Sequence, residues 1–220
     1  MNTLTEVGRW LTNPENWSGA GGIADRLVEH LAVTTLAVAI AFLIAFPVGV
    51  LVGHSRRGAG VVAGSVGAMR AIPSIGIITL FGLLIGIGLV APVIALVMLA
   101  IPSLLAGTYA GIAAVDKETV DAARAVGMTE RQVITKVELP LAAPVIIGGL
   151  RSAVLQVVST TTLAAYTADV GLGRFLFTGL KSNNYVLTLS AAILVIGLAV
   201  IIELILAWGN KRAARAVRKV

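Results

Sequence analysis

The residues best suited to a chemical or mechanical task cluster at positions 116–138, a polar segment longer than a simple connection requires. Acidic side chains, among them Asp121, occur near its start. Negative charge stabilises the N-terminus of a helix, which is the positive end of its dipole. A helix over Thr119–Val126 is therefore predicted. Gly127 can end this helix, because glycine readily adopts the left-handed conformation of a helix C-terminus.

A second short helix is predicted directly after this glycine. Thr129 and Gln132 have the spacing of a capping box. Two capped helices joined at a glycine form a rigid projection that can pass motion between a partner and membrane helices. The small side chains of Ala122 and Ala123 permit close approach to a partner, and the nearby arginines are available for contacts at its rim. A solvated helical connection between two spans is the alternative interpretation.

The sequence offers no pattern for catalysis. It contains no G-x-x-x-x-G-K-[ST] motif that would cradle the phosphates of ATP, and it has no cysteine. We therefore predict no catalytic residue, no metal site and no cofactor, so the chain is not expected to be an enzyme, and any ATP chemistry must come from a partner.

Polar residues inside an otherwise apolar segment form a second candidate site. Ser152, Gln156, Ser159 and Thr160 follow an i, i+4, i+7, i+8 pattern and share one face of a predicted helix. Such a stripe can line a translocation path, or it can hold neighbouring helices together through hydrogen bonds. The sequence leaves both interpretations open.

Two prolines within apolar runs, Pro73 and Pro102, lie in matching Ala-Ile-Pro-Ser segments. Proline removes a backbone donor and kinks or breaks a helix, so each is a candidate hinge or a plain packing kink. Arg151 is expected to face protein, water or the membrane interface, because an arginine at mid-bilayer costs roughly 2.5–3.5 kcal/mol. Arg70 is expected to mark the boundary of a span.

The composition shows which elements must position these residues. The chain has 220 residues, of which 57% are hydrophobic and 13% charged, and its mean hydropathy is +0.95. Soluble domains carry about a quarter charged residues. We therefore predict an all-α integral membrane protein, in which the 24 glycines allow helices to pack closely.

Five apolar runs are long enough to cross roughly 30 Å of hydrocarbon. The 45 residues from Ala71 to Val115 carry no charge and must fold back, with Gly86, Gly88 and Pro92 marking the turn. The predicted spans are Leu31–Val52, Ala71 to about Ile87, about Leu89–Val115, about Leu139–Ala168 and about Tyr185–Trp208.

The basic residues set the predicted orientation. Eleven of the 17 Lys and Arg fall on the side that holds residues 116–138 and the C-terminus, and by the positive-inside rule that side is cytoplasmic. The N-terminus is then outside. The net charge of +6 is explained by orientation, and no nucleic-acid partner is predicted. The predicted organisation is an extracytoplasmic segment 1–26, a transmembrane domain 27–208 and a basic cytoplasmic tail 209–220.

The segment 116–138 and its surroundings resemble a known loop. Asp121-Ala122-Ala123, Gly127 and Val137-Glu138-Leu139-Pro140 have the spacing of the EAA loop in permease subunits of binding-protein-dependent ABC importers, with Asp121 where Glu is usual and Val137 where Ile is usual. This resemblance implies that the loop couples to a separate ABC ATPase. The implied coupling residues are Asp121, Ala122, Ala123, Arg124, Gly127, Val137, Leu139 and Pro140.

Further segments are similar to the osmoprotectant branch of this family, which imports glycine betaine, carnitine or choline. They are the two Ala-Ile-Pro-Ser segments, Gly149-Leu150-Arg151 and Val170-Gly171-Leu172-Gly173. The resemblance implies a type I, methionine-importer-like fold in the bacterial inner membrane. It also implies an extracytoplasmic substrate-binding protein and a second permease subunit, the same or paralogous, as partners besides the ATPase and membrane lipid.

The alternative functional classes are an ion-coupled secondary transporter and a passive channel for a small solute. Ion coupling usually requires a carboxylate within the membrane. Asp169 and Glu203 lie near the ends of their spans, and the centre of each predicted span lacks Asp and Glu. The aromatic residues of the spans are also scattered, so selectivity for a quaternary ammonium is expected to reside mainly in a separate binding protein.

Overall fold

The computed structural model describes residues 3–217, without the side chains of Arg70 and of residues 211–217. These residues form helices and turns, with no strand among them. The roles predicted for Arg70 and for the basic side chains of the tail concern groups outside this description. The α-helices are α1 (Thr3–Thr12), α2 (Ile23–Ser55), α3 (Ala59–Ala71), α4 (Ser74–Ile85), α5 (Val90–Ala113), α6 (Lys117–Ala125), α7 (Glu130–Val133), α8 (Leu139–Thr161), α9 (Gly173–Lys181) and α10 (Tyr185–Val217).

Four helical stretches of the described chain are long and apolar enough to cross a membrane, and α3 with α4 makes a fifth if that bent pair is one span. The all-α fold with about five spans is thus confirmed. The helix that contains the first predicted span, α2, has 33 residues and begins at Ile23. It extends beyond Leu31–Val52 at both ends and includes residues 23–26 of the predicted extracytoplasmic segment.

The second predicted span, Ala71 to about Ile87, contains the helix α4. α3 precedes it, and the two helices meet at an angle of 79°. Ile72 and Pro73 have extended backbone between the two helices. Proline disfavours the helical conformation of the residue before it, which explains the break. At the far end, Gly86 has a φ of 105°, and Pro92 lies in the first turn of α5 instead of in the turn itself.

Close approach of backbones holds α5 at the centre of the bundle. Gly49 and Gly53 of α2 face Thr108 and Ile112 of α5, and a Cβ at either glycine would lie 2.7 Å from a side-chain atom. On the other side of α5, a Cβ at Gly107 would lie 2.6 Å from the Cα of Gly149 in α8. Small residues therefore set these helix crossings, as predicted from the glycine content.

The second helix of the polar segment is not separate from the fourth span. From α7 the chain continues through a π-helical turn, Ile134–Glu138, directly into α8, so one helical run covers Glu130–Tyr166. The N–H of Leu139 reaches back to the carbonyl of Ile134. This widened turn moves the carbonyl that the ring of Pro140 would otherwise meet, so the proline does not end the helix.

At the opposite end of α2, ionic contacts join the bundle to the chain after α8. Arg26 donates to Glu29 at 2.8 Å and to the Asp169 carboxylate at 2.9 Å, and Glu29 accepts the N–H of Gly171 at 2.8 Å. The helix α9 follows, and its Phe175 meets Trp10 of α1 edge to face at 5.5 Å. Specific contacts therefore fix this end of the molecule, although the polar and glycine-containing sequence after α8 is typical of a loop.

Candidate functional site

The helix α6 is closed at both ends by hydrogen bonds that its sequence specifies. The side chain of Asp116 accepts the N–H of Glu118 at 3.2 Å. At the other end Gly127 has a φ of 87° and donates to the carbonyl of Arg124 at 2.9 Å, while Met128 donates to Ala123 at 3.2 Å. This is the Schellman arrangement, which favours glycine at the left-handed position. The predicted first helix is confirmed, beginning two residues earlier than expected.

The capping box after Gly127 is also confirmed. Thr129 Oγ1 accepts the N–H of Gln132, and the Gln132 side chain accepts the N–H of Thr129 at 2.8 Å. The two caps are separated only by residues 127 and 128. Because each helix end is satisfied locally, the segment has a defined geometry and is not a loose connection.

An apolar cluster fixes this segment to the membrane helices. Val120 and Ala123 of α6 are buried beside Val133, together with Val50 of α2 and Ile112 of α5. Val137 and Leu139 pack against the same cluster. Ala123, Val137 and Leu139 therefore anchor the segment to the membrane helices, and Val137 and Leu139 remain partly exposed.

Charged groups tie α6 to the next helix. Arg124 donates from Nε to Glu130 Oε1 at 2.9 Å and from Nη2 to Glu130 Oε2 at 3.0 Å, and it also reaches Asp121 at 3.1 Å. The hydrogen bond from Arg124 lowers the pKa of the Glu130 carboxyl from its ordinary value. Glu130 is therefore ionised near neutral pH. Arg124 acts inside the segment and is not simply a free contact at a rim.

The outward surface of α6 remains open. Asp121, Ala122, Val126 and Gly127 are exposed, and Val126 is 77% exposed despite its apolar side chain. Pro140 is also exposed. A small, partly apolar surface on a rigid helix can enter a groove of another protein without rearranging.

The residues of the polar stripe on α8 lie in different environments. Gln156 is half-buried and accepts a hydrogen bond from Ser103 of α5 at 3.1 Å, which is a contact between helices. Ser152, Ser159 and Thr160 donate to carbonyls of their own helix. Ser152 and Ser159 are exposed, seven residues apart on one face of α8.

Arg151 has a partner that the sequence did not reveal. Its Nε donates to Glu203 Oε2 of α10 at 2.8 Å, and its Nη2 donates to Glu203 Oε1. The two side chains are about one-third exposed, at 33% and 31%. The pair joins two membrane helices across 52 positions of sequence, which explains how both charges are tolerated there.

The candidate hinges differ in structure. Pro73 lies at the 79° break between α3 and α4. Pro102 is buried inside α5, which continues through it without interruption.

Close contacts between aromatic rings in the described part of the chain include Phe42 with Phe46 at 4.7 Å and Tyr166 with Phe177 at 5.9 Å.

Comparison with known proteins identifies the family to which this chain is similar. Residues 37–215 match the family model described as binding-protein-dependent transport system inner membrane component. The choline transport system permease protein OpuBB of Bacillus subtilis (strain 168) is 32% identical over 90% of this chain and 92% of its own. The glycine betaine/carnitine/choline transport system permease protein OpuCB of the same organism is 33% identical over 89% and 90%.

Solved structures show the same fold. An inward-facing form of the MetNI methionine ABC transporter matches with a TM-score of 0.72 at 24% identity, covering 89% of this chain and 95% of the other. A chain of an amino acid ABC transporter solved with histidines matches with a TM-score of 0.73 at 21% identity, covering 96% and 99%. The family match covers most of the chain, so this protein belongs to the inner membrane components of binding-protein-dependent transport systems.

Proposed function

We propose that this chain is the permease subunit of an ATP-driven importer for osmoprotectants such as glycine betaine, carnitine or choline. The family assignment and the names of two relatives that cover about nine-tenths of the chain support this proposal. The chain lies in the bacterial inner membrane and crosses it several times, with its N-terminus outside and its C-terminus in the cytoplasm.

The observation that carries the proposal is the rigid cytoplasmic segment with its exposed outer surface. The two capped helix ends, the apolar anchor around Val133 and the Arg124–Glu130 contact fix α6 relative to α2, α5 and α8. Asp121, Ala122 and Val126 then face outward. An ABC ATPase binds this surface, and the chain itself neither binds nor hydrolyses ATP.

A second permease subunit, identical or paralogous, completes the translocation path. Ser152 and Ser159 are exposed on one face of the apolar helix α8, and each donates to a carbonyl of its own helix. Their oxygens can still accept hydrogen bonds, which a partner subunit, or water in a path between the two subunits, provides. Gln156 contributes to helix packing through Ser103, and Thr160 borders the same path.

An extracytoplasmic binding protein supplies the solute and most of the selectivity. The aromatic pairs in the described residues do not form the cage that usually holds a quaternary ammonium. The surfaces of α1 and α9, at the end of the bundle opposite to α6, are the docking surface for this binding protein. The bend at Pro73 serves as a hinge during alternating access.

Reconstitution tests this function. The chain is purified with a co-expressed ABC ATPase and binding protein, and uptake of radiolabelled glycine betaine, carnitine and choline into proteoliposomes is measured. We expect uptake of at least one of them that requires ATP and all components. Uptake by the chain alone, driven by a proton or sodium gradient, would instead support a secondary transporter, and ATP-independent conductance would support a channel.

A further inference from the structure

His54, in the last turn of α2, lies between two carboxylates. Its Nδ1 is 2.6 Å from Glu138 Oε2, and its Nε2 is 3.0 Å from Glu130 Oε2. The His54 side chain is 16% exposed. A neutral imidazole carries one N–H, so it can donate to only one of these two oxygens. With both carboxyl groups ionised, both contacts are hydrogen bonds only when the ring carries a proton on each nitrogen.

The groups that face the two ring nitrogens are both carboxyl groups. Glu138 is nearly inaccessible, with 2% of its side chain exposed, and His54 is its ion-pair partner among the described residues. Burial of a carboxyl group without a polar partner is costly, and His54 supplies that partner. Glu130 is held in its ionised form by Arg124 from α6. A ring with a proton on each nitrogen can therefore bind both carboxyl groups at once, whereas Arg124 contacts only Glu130 of the two.

The other elements near His54 include α5 and the turn after α2. α5 has no charged residue over Val90–Ala113. The turn carries the cation Arg56, which donates to the carbonyl of Val115 at 2.6 Å, in the segment that leads into α6. His54 therefore links α2 to the helical run that begins at Glu130 through its two carboxyl contacts.

The mechanical consequence follows from what these residues connect. Glu130 opens the helix after Gly127, and Glu138 lies in the π-helical turn that leads into α8. A charged His54 holds both to the end of α2, so α2, α6 and α8 move as one unit. A neutral His54 releases one of the two carboxylates and leaves the segment attached through the apolar cluster and Arg124.

We propose that His54 is a positioning residue whose protonation clamps the coupling segment to α2, so that transfer of ATP-driven motion to the membrane helices depends on cytoplasmic pH. This proposal rests on the coupling role proposed above. Histidine is the side chain that ordinarily changes charge between about pH 5 and 8. Acidification of the cytoplasmic side strengthens the clamp, and alkalinisation weakens it.

The test uses the complete importer in proteoliposomes. The pH on the nucleotide side is varied from about 6 to about 9 while the other side is held constant, and solute taken up per ATP hydrolysed is measured. In the wild type we expect this ratio to fall several-fold as the pH rises. His54→Gln, which is never charged, is expected to give a low and nearly constant ratio. His54→Arg, which is always charged and has several donors, is expected to keep a high ratio at alkaline pH.

A further variant separates the clamp from simple loss of folding. In His54→Gln/Glu138→Gln the buried carboxylate is removed together with its cation, so the complex is expected to assemble and to show a ratio that does not vary with pH. A His54→Gln importer that transports with the pH profile of the wild type would overturn the clamp while leaving the proposed function intact. Failure of the wild-type chain to bind any ABC ATPase would overturn both.

Discussion

Arg124 and Glu130 form a two-point ionic contact across the glycine turn, with Nε to Oε1 at 2.9 Å and Nη2 to Oε2 at 3.0 Å. Their sequence separation is six residues, and the turn at Gly127 brings them together. Arg124 is fixed in this way while Asp121 and Ala122 remain exposed beside it. The contact therefore orients the surface that we propose binds the ATPase.

Replacement of Arg124 gives the first prediction. Arg124→Glu is expected to lower ATP-dependent uptake several-fold, because carboxylates would repel each other across the turn. Arg124→Lys keeps a cation that can pair with Glu130 and leaves the contact between Glu130 and His54 in place, so it is expected to retain a large part of the uptake. If Arg124→Lys is as impaired as Arg124→Glu, the ionic contact with Glu130 is not what orients α6.

Gly127 gives the second prediction. Its φ of 87° requires the left-handed conformation, yet a Cβ there would meet no atom within 4 Å. Strain, and not crowding, is thus the only expected effect of substitution. Gly127→Val should cost about 1–2 kcal/mol and weaken co-purification of the ATPase. Gly127→Asn, whose side chain tolerates this conformation, is the matched control and should retain it. Equal behaviour of the two variants would contradict a role for the turn geometry.

Two adjacent glycines of α8 provide the third prediction. A Cβ at Gly149 would lie 2.8 Å from the Cα of Gly107, whereas one at Gly148 would meet nothing within 4 Å. Gly149→Val is expected to separate α5 from α8 and to lower the free energy of unfolding by about 1–3 kcal/mol or more. Gly148→Val should have little effect. Thermal unfolding of the two variants in detergent measures the difference, and similar transition temperatures would contradict this helix crossing.

The Arg151–Glu203 pair gives the fourth prediction. Arg151→Leu leaves Glu203 without its partner and should destabilise the chain, by less than the about 3–5 kcal/mol known for fully buried pairs, because both groups are about one-third exposed. Arg151→Leu/Glu203→Leu removes both charges and should recover most of that stability. Were uptake to be lost in the double variant while stability returned, Arg151 would have a role in transport beyond joining α8 to α10.

Structural features formed by residues close in sequence were well predicted. The helix end at Gly127 and the capping box of Thr129 depend on local chemistry, which residue type and spacing determine directly. The long apolar runs likewise identified the membrane helices, because their length is set by the bilayer. The continuation of the second short helix into α8 was not predicted; the chain stays helical up to Pro140 through a π-turn.

Contacts between distant residues were not predictable from one sequence. His54 and Glu138 are 84 positions apart, and Arg151 and Glu203 are 52 positions apart. Neither pair has a periodicity or spacing that marks it, since their meeting depends on how α2, α8 and α10 pack. For the same reason Gln156 could not be assigned to helix packing until Ser103 was seen beside it.

The most direct test of the account is crosslinking from Ala122, which is exposed on α6. A photoreactive amino acid is placed at this position, and, as a control, at the exposed Ser182 directly after α9 at the other end of the bundle. In cells that carry the complete importer, we predict an adduct between position 122 and the ABC ATPase and none from position 182. An active importer in which position 122 reacts with a reagent confined to the outside, or never crosslinks to the ATPase, would contradict the coupling role.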